Sequence, residues 1–454
     1  MIYDSEVKKI LGLARKMGIR DAEVFINMAH YFIIKVQGQE FDEFKFSRVC
    51  GAGFRVIENG EEGYAYTEKF DEDSFAMCLE WAREAAGTLC PQDTPAVMKG
   101  FKTKEHEEDL KCFNPALELE PEHRKIETAM AVERAALAFD PRVASVQMVR
   151  YSDGHHFQRV ANTRGMDKWY QSNYAMAIAY VVAAHGDERR VDGHYAVARD
   201  LNDIDPQKLG ETAAKRAIRK LGSREISSGE YTVAFDNEVM CEILEAFSSI
   251  FSARQAQEGR SLLQGRLGER IGSTKITLVD DALRPGGLAT HPFDDEGHPT
   301  KKIDIVRKGV FKNFLHNLRT AAKWGVKSTG HGTRSSYKDT LGVSATNMYL
   351  EPGTHRFPEL MNLRRKILHI ASVQGLHSGL NPVTGDFSLS ASGFLYESGS
   401  LKYPIHNFTV SGNIVDLFSN VAALGSDLKF GFPSGCTHVG SPTVLVRKIM
   451  VGGA

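Results

Sequence analysis

The densest group of side chains able to do chemistry is HPFDDEGHPT, residues 291–300, which sets His291, Asp294, Asp295, Glu296 and His298 within eight positions. Imidazoles and carboxylates ligate divalent ions, so a metal site is the first candidate. The spacing argues against it. A calcium loop wants oxygen ligands at alternate positions around an internal glycine bend. Zinc takes three or four donors with a fixed second shell, often two from one helix. Two histidines flanked by prolines on a short loop have no such support, and the stretch reads as a structural turn. In that turn Asp294 and Asp295 accept backbone N–H bonds, and Gly297 takes the positive φ that reverses the chain.

Other candidates are weaker. Ser426 and Lys429 form an SxxK match within GSDLKFG, a pattern with two fixed positions that turn chemistry explains as well. His369, His377 and Asp386 follow without ligand spacing. Cys50, Cys78, Cys90, Cys112, Cys241 and Cys436 are scattered with no CxxC pair, so neither a disulfide framework nor a zinc ribbon is encoded. There is no GxxxxGK[ST] phosphate loop, no GxGxxG opening a helix, no GxSxG elbow and no HExxH.

Bulk properties bound the rest. A chain of 454 residues exceeds what one hydrophobic core usually supports, so two or three domains are expected. With 56 Lys and Arg against 57 Asp and Glu, and no basic run interleaved with aromatics, nucleic acid is a poor partner. No apolar run approaches the length of a membrane span. The opening MIYDSEVKKILGLARKMG carries a helical stripe (Val7, Ile10, Leu11, Ala14, Met17) rather than a signal peptide, and a cytoplasmic location is expected.

The elements that must position these residues divide by glycine usage: 15 of 41 glycines lie in residues 1–228 and 26 in residues 229–454, which predicts a turn-rich, β-dominated second half. In the first half the opening helix stops at Gly18. AEVFINMAHYFIIKVQG reads as a strand pair, and Asn59-Gly60 as a hairpin turn. Residues 71–87 predict a helix and 91–118 a connection. PEHRKIETAMAVERAALAFD is helical. RVASVQMVRYSDGHHFQRVANTRG reads as two strands turning at Asp153-Gly154, and residues 172–199 as a long strand before a helix near 206–221. GSREISSGEY (222–231) is the expected boundary. NEVMCEILEAFSSIFSARQAQ predicts one helix with Val239, Ile243, Ala246, Phe247 and Ile250 on its buried face; short strands and glycine turns should follow. The fold class is α+β, with an N-terminal mixed sheet-and-helix region at 1–225, divisible near 110, and a β-rich domain at 229–454.

Several blocks, GRLGERIGS (265–273), HPFDDEGHPT, KGVFKNFL (308–315), STGHGTR (328–334), NPVTGDFSLSASGFLYESG (381–399) and the ending VGGA, resemble the TldD/PmbA family, whose members were once called modulators of DNA gyrase. The resemblance is strong over most of 229–454 and covers the first half in layout. It implies a TldD/PmbA-type fold. One branch of that family carries an HExxxH zinc-peptidase helix; the other, PmbA or TldE, lacks it and pairs with the first as a cytoplasmic protease of unfolded peptides. The zinc-branch histidines fall here on Leu244 and Ser249, with Glu245 at the glutamate position. Leucine offers no lone pair and serine is a poor zinc ligand. Cys436 stands nearer GSPT than the C-terminal cysteine of the zinc branch does, and no ligand role passes to it.

The resemblance therefore implies a non-catalytic subunit with no cofactor of its own. Zinc is expected in a TldD-type HExxxH partner, and a homodimer is expected when that partner is absent. HPFDDEGHPT becomes an expected cleft loop. An autonomous metal-dependent hydrolase built on His291, Asp294, Asp295, Glu296 or His298, and a protein-binding gyrase regulator, are the alternatives.

Overall fold

The computed structural model describes residues 2–88, 94–101, 110–433 and 435–453. Its first half is built on one six-stranded antiparallel sheet of order β3-β2-β1-β4-β5-β6. The strands are β1 (Asp21–Gln37), β2 (Glu40–Glu58), β3 (Glu61–Thr67), β4 (Val143–Asn162), β5 (Asp167–His185) and β6 (Glu188–Ala198). The helices α1 (Asp4–Lys16), α2 (Glu72–Thr88), the single turn α3 (Pro115–Glu118), α4 (Glu122–Ala138) and α5 (Pro206–Ile218) accompany it. Side chains alternate across a strand, and the alternation decides the layers. Even-numbered residues of β1 meet the helices: Val24 and Ile26 share a core with α1 and α2, while Phe32, Ile34 and Val36 share one with α4 and α5. Odd-numbered Phe25 faces the other way, onto Phe293 and Tyr337 of the second half.

The second half contains two six-stranded sheets. One runs β10-β9-β8-β13-β19-β18 and the other β16-β15-β14-β7-β20-β17, with a small β11-β12 pair beside them. In chain order the strands are β7 (Gly229–Phe235), β8 (Leu278–Asp281), β9 (Lys302–Arg307), β10 (Val310–Phe311), β11 (Gly332–Thr333), β12 (Gly342–Val343), β13 (Asn347–Leu350), β14 (Lys366–Gln374), β15 (Asp386–Glu397), β16 (Ser400–Asn413), β17 (Val421–Leu424), β18 (Lys429–Phe430), β19 (His438–Ser441) and β20 (Val444–Gly452). A single core joins both large sheets to α6 (Asn237–Ala246), through Val239, Met240, Ile243 and Leu244. Four further short helices follow among the described residues, α7 (Ala253–Gln257), α8 (Leu318–Trp324), α9 (Phe357–Met361) and α10 (Ile414–Ser419).

The α+β class and the Asn59-Gly60 hairpin stand: Glu58 pairs with Glu61 across that two-residue turn. Several element readings need correction. Residues 21–37 are one strand, not two, because β1 is the central strand and is covered along its length by β2 on one side and β4 on the other. Asp153-Gly154 is no turn either; it lies inside the 20-residue β4. A β-carbon at Gly154 would stand 3.0 Å from the Tyr174 ring on the neighbouring strand, so the glycine there makes room for an aromatic. Conversely, residues 172–199 are not one strand, since the chain reverses at Gly186. The helix expected over 237–257 breaks at Phe247 into α6, a 3-10 turn (Ser248–Phe251) and α7. After it come long strands as well as short ones, β15 and β16 having 12 and 14 residues. Of the 91–118 connection, residues 91–93 and 102–109 lie outside the described residues, as does Cys90.

Helices α4 and α5 pack unusually closely at Gly210, where a β-carbon would fall 2.4 Å from the Val132 carbonyl oxygen. Gly210→Leu should therefore cost about 1–3 kcal/mol, the usual range for overpacking, and lower the urea midpoint at an unchanged slope. An unaltered midpoint would show that the two helices tolerate separation.

Candidate functional site

The sheet face that turns away from the helices carries Glu23, Phe25, Arg55, Gln158, Lys168 and Tyr170, and part of it is sealed by the HPFDDEGHPT loop. The expectation of a cleft loop is corrected here: Asp294, Asp295 and Glu296 are buried, 1%, 8% and 2% exposed, and lie between the two halves. Turn chemistry builds the loop. Asp294 Oδ1 accepts the N–H groups of Glu296 (3.0 Å) and His298 (2.9 Å), and Oδ2 accepts that of Gly332 (2.9 Å). Gly297 has φ 71°, and a β-carbon there would come within 2.1 Å of the Met166 sulfur, so only glycine fits the reversal.

The other two acids bind outward. Asp295 accepts from Gln158 Nε2 on β4 (2.5 Å) and from the Arg334 backbone N–H, while Arg334 Nη2 donates to Glu23 on β1 (2.7 Å). Glu296 Oε2 accepts the Leu318 N–H at the start of α8 (2.7 Å), and its Oε1 lies 3.9 Å from Arg55 Nη1. Arg55 also donates to Glu62 (2.8 Å). Lys168 donates to the Gly297 carbonyl (3.0 Å). His298 rests edge-on against Phe101, and the His291 ring stacks near Tyr170. Burial pushes the Asp295 carboxyl up to about 6 and that of Glu296 up to about 7; burial and the neighbouring Glu296 hold Asp294 well above the carboxylate range.

Further along the same sheet face the halves part, leaving an open cleft of about 870 Å³. Its floor is Met148 and Arg150 of β4, Met176, Ile178 and Tyr180 of β5, and Tyr195 of β6. The opposite wall is α6, through Glu242, Glu245 and Ala246, with Leu376, His377, Leu380 and Phe432. The sequence determines which side of α6 looks inward. Asp236 caps its N-terminus by accepting the Glu238 N–H (3.1 Å), and Val239, Ile243 and Leu244 go to the core, which turns Glu242 and Glu245, three residues apart, toward the cleft. Glu242 is exposed to the cleft, yet surrounding protein and the carboxylates of Glu238 and Glu245 push it up to about 7.

The residues expected from the resemblance at the zinc-motif positions do not converge. Leu244 is 1% exposed within the core, Glu245 lines the cleft, and Ser249 is exposed on the 3-10 turn beyond the helix break. A zinc ion needs three or four convergent donors. Leucine at 244 supplies none, and the residues present do not fit that ion. Among the described residues, no group of three or more His, Cys, Asp or Glu side chains is arranged to hold a metal. Cys436 is exposed, its thiol 3.7 Å from the Arg334 carbonyl. Lys429 is bound to Glu238 rather than serving Ser426. His369 lies 3.2 Å from Asp236, Asp386 accepts from Asn413 (2.9 Å), and of that group only His377 reaches the cleft. Sequence reasoning missed Glu242, Arg150 and Tyr195; the i, i+3 pair of glutamates opposite an apolar face was the available signal for the first.

Two α+β halves, joined at a buried acidic turn and parted at a cleft against the helix that follows β7, frame the site. Family models for the PmbA/TldA metallopeptidase match in three parts, domain 1 at residues 22–86, the central domain at 116–221 and the C-terminal domain at 228–453. The chain belongs to the PmbA/TldD family. It is 26% identical to the Metalloprotease PmbA of Escherichia coli O157:H7, over 90% of this chain and 88% of that one. A Thermotoga maritima crystal structure described as a candidate modulator of a DNA gyrase superposes with TM-score 0.90 at 29% identity, covering 99% of this chain and 100% of that one. TldE from Thermococcus kodakarensis shares the fold, with TM-score 0.89 at 20% identity, covering 99% and 100%. No helix among the described residues is long and apolar enough to cross a membrane.

The raised acids give a pH signature. A carboxyl whose folded pKa exceeds its unfolded value stabilises the fold below the unfolded value and loses that contribution as pH rises through the folded one. For Glu296 the window runs from 4.5 to about 7. Glu296→Gln retains an acceptor for the Leu318 N–H and removes one titration, so the melting temperature should fall less steeply across that window than in the wild type. Equal slopes would place the proton uptake elsewhere.

Proposed function

We propose that this chain is the zinc-free subunit of a two-component cytoplasmic metallopeptidase: it holds an extended, unfolded peptide in its cleft while an HExxxH relative hydrolyses it. The observation that supports this reading is the chemistry of α6 and the 3-10 turn after it, where the residues expected at the family's zinc positions are a core leucine, Leu244, and an exposed serine, Ser249. Glu245 faces the cleft, but a carboxylate acts as hydrolytic base on water made acidic by a metal, and among the described residues no group of three or more His, Cys, Asp or Glu side chains is arranged to hold one.

The cleft suits a peptide. Its floor ends on β6, the terminal strand of the first sheet, and an edge strand offers N–H and C=O groups that an extended chain can pair with while its sequence goes largely unread. Tyr195 places that strand in the cleft wall. Met148, Met176, Ile178, Leu376 and Leu380 add apolar surface for alternate side chains. Methionines accommodate varied shapes at little cost, in keeping with a loosely selective channel.

Cleavage of an unstructured polypeptide by an HExxxH family member, measured with and without this chain, tests the proposal. We expect hydrolysis by the pair, and none by this chain alone at any divalent metal tried. Equal cleavage by the relative on its own, with no association between the two proteins, would refute the subunit reading. Chelator-sensitive proteolysis by this chain alone would establish an autonomous hydrolase instead.

A further inference from the structure

The first sheet has one stretch of edge that the fold leaves unpaired. β1 runs beside β2 from Glu40 to Ile57, but on the other side β3 reaches only from Ala52 to Glu58. Among the described residues no strand pairs with residues 40–51 on that side. In an antiparallel sheet alternate residues direct their N–H and C=O groups to either side, so this run offers a row of donors and acceptors to a further strand. Proteins ordinarily guard such an edge with charge, proline, a bulge or a cover. Here the one register shift against β1 falls at the start, beside Asp42, and the strand is regular beyond it.

The side chains of the run are apolar to an unusual degree. Phe41, Phe44 and Phe46 are 56%, 54% and 65% exposed, three of the five exposed phenylalanines among the described residues. They lie opposite Val36, Ile34 and Phe32 of β1 and so share the face that carries the helices. The Phe44 ring meets Phe32 edge-on with centroids 5.4 Å apart, which continues the core under α4 and α5 outward past its last covered strand. Together the three rings expose on the order of 300 Å², a patch of the size that marks an interaction site on a soluble protein.

We propose that the partner on this edge is a second copy of the chain, its residues 40–51 laid antiparallel to the first about a two-fold axis at Lys45, so that two six-stranded sheets become one. The length of the run selects that axis. Glu40 of each copy then falls opposite Cys50 of the other, which uses the unpaired stretch and stops where β3 begins. An axis at Phe46 would set Glu40 against Ala52, whose free side β3 already holds through Thr67. The side chains select it too. Phe44 of each copy comes opposite Phe46 of the other, and Asp42 opposite Arg48, pairings of the kind that stabilise neighbouring strands. An axis at Phe44 would oppose Asp42 to Phe46 instead. On the reverse face Lys45 meets its own copy, with Glu43 of the other copy as its diagonal neighbour. The rings of two copies bring roughly 600 Å² toward the total of about 1,600 Å² in a standard interface, and the paired backbones and flanking side chains add to it. This contact goes beyond the reading of the cleft and leaves it open, because the cleft floor lies across the sheet on β4, β5 and β6.

Light scattering on the full chain from about 1 to about 100 µM tests this, since association follows mass action. The wild type should approach twice the chain mass at the upper end. The double variant Phe44→Asp, Phe46→Asp should stay at the monomer mass, with a melting temperature within about 3 °C of wild type, because both rings are already more than half exposed. Lys45→Cys should give a disulfide-linked dimer on mild oxidation: opposed Cα atoms of an antiparallel pair stand about 4.5–5.5 Å apart, within the range a disulfide spans. Lys275→Cys, exposed in the second half, should not. A monomer at every concentration, or a dimer that survives the double variant with no crosslink at position 45, would overturn the proposal. So would association only with an HExxxH relative, abolished by the same variant, which would assign the edge to that relative.

Discussion

The structure depends on a buried cluster of acidic and basic side chains at the junction of its halves. Asp294, Asp295 and Glu296 enter a nearly dry space with Glu23 and Glu62, and Arg55, Arg334 and Lys168 come from β2, the 328–338 segment and β5 to meet them. Moving charges out of water is costly, and their mutual attraction compensates only when geometry and additional hydrogen bonds are good. The cluster meets that condition by using the loop's own backbone. Asp294 is consumed by three N–H groups, and its neighbours are thereby aimed outward, one at Gln158 and Arg334, the other at Leu318 and Arg55. Breaking one partner would strand a buried charge, so the two halves are fixed in one relative position. That position determines where the sheet face is covered and where it is left open as the cleft.

Much of this was legible in the residues. The helix at 71–87 and the Asn59-Gly60 hairpin follow from periodicity and turn chemistry; strands are as prominent in the first half as in the second, where β1–β6 form one long-stranded sheet in the first. The errors have particular causes. Gly154 resembles a turn residue but exists to admit the Tyr174 ring, a contact between residues 20 apart that no local pattern contains. Phe247 continues the apolar spacing of α6, yet takes φ −92° and ψ 0°, and ends the helix there. The acidic turn was readable as hydrogen-bond chemistry, because Asp294 and Gly297 act within five residues. Its burial was not, because Arg55, Gln158 and Glu23 are supplied from more than a hundred residues away.

The cleft illustrates the same limit. The glutamate retained at position 245 could be noted from the family motif, but which face of α6 looks inward depends on the core contacts of Val239, Ile243 and Leu244. Once those are fixed, the helix presents two carboxylates, Glu242 and Glu245, to the cleft. Under the proposed reading, this geometry serves peptide binding and the chemistry belongs to a partner that keeps its metal donors.

The most direct test of that division of labour is metal analysis of the full-length chain, loaded with excess zinc, dialysed, and assayed by mass spectrometry. The account predicts well under one zinc per chain, unchanged by Glu245→Ala. One tightly held zinc per chain, lost in that variant, would contradict it.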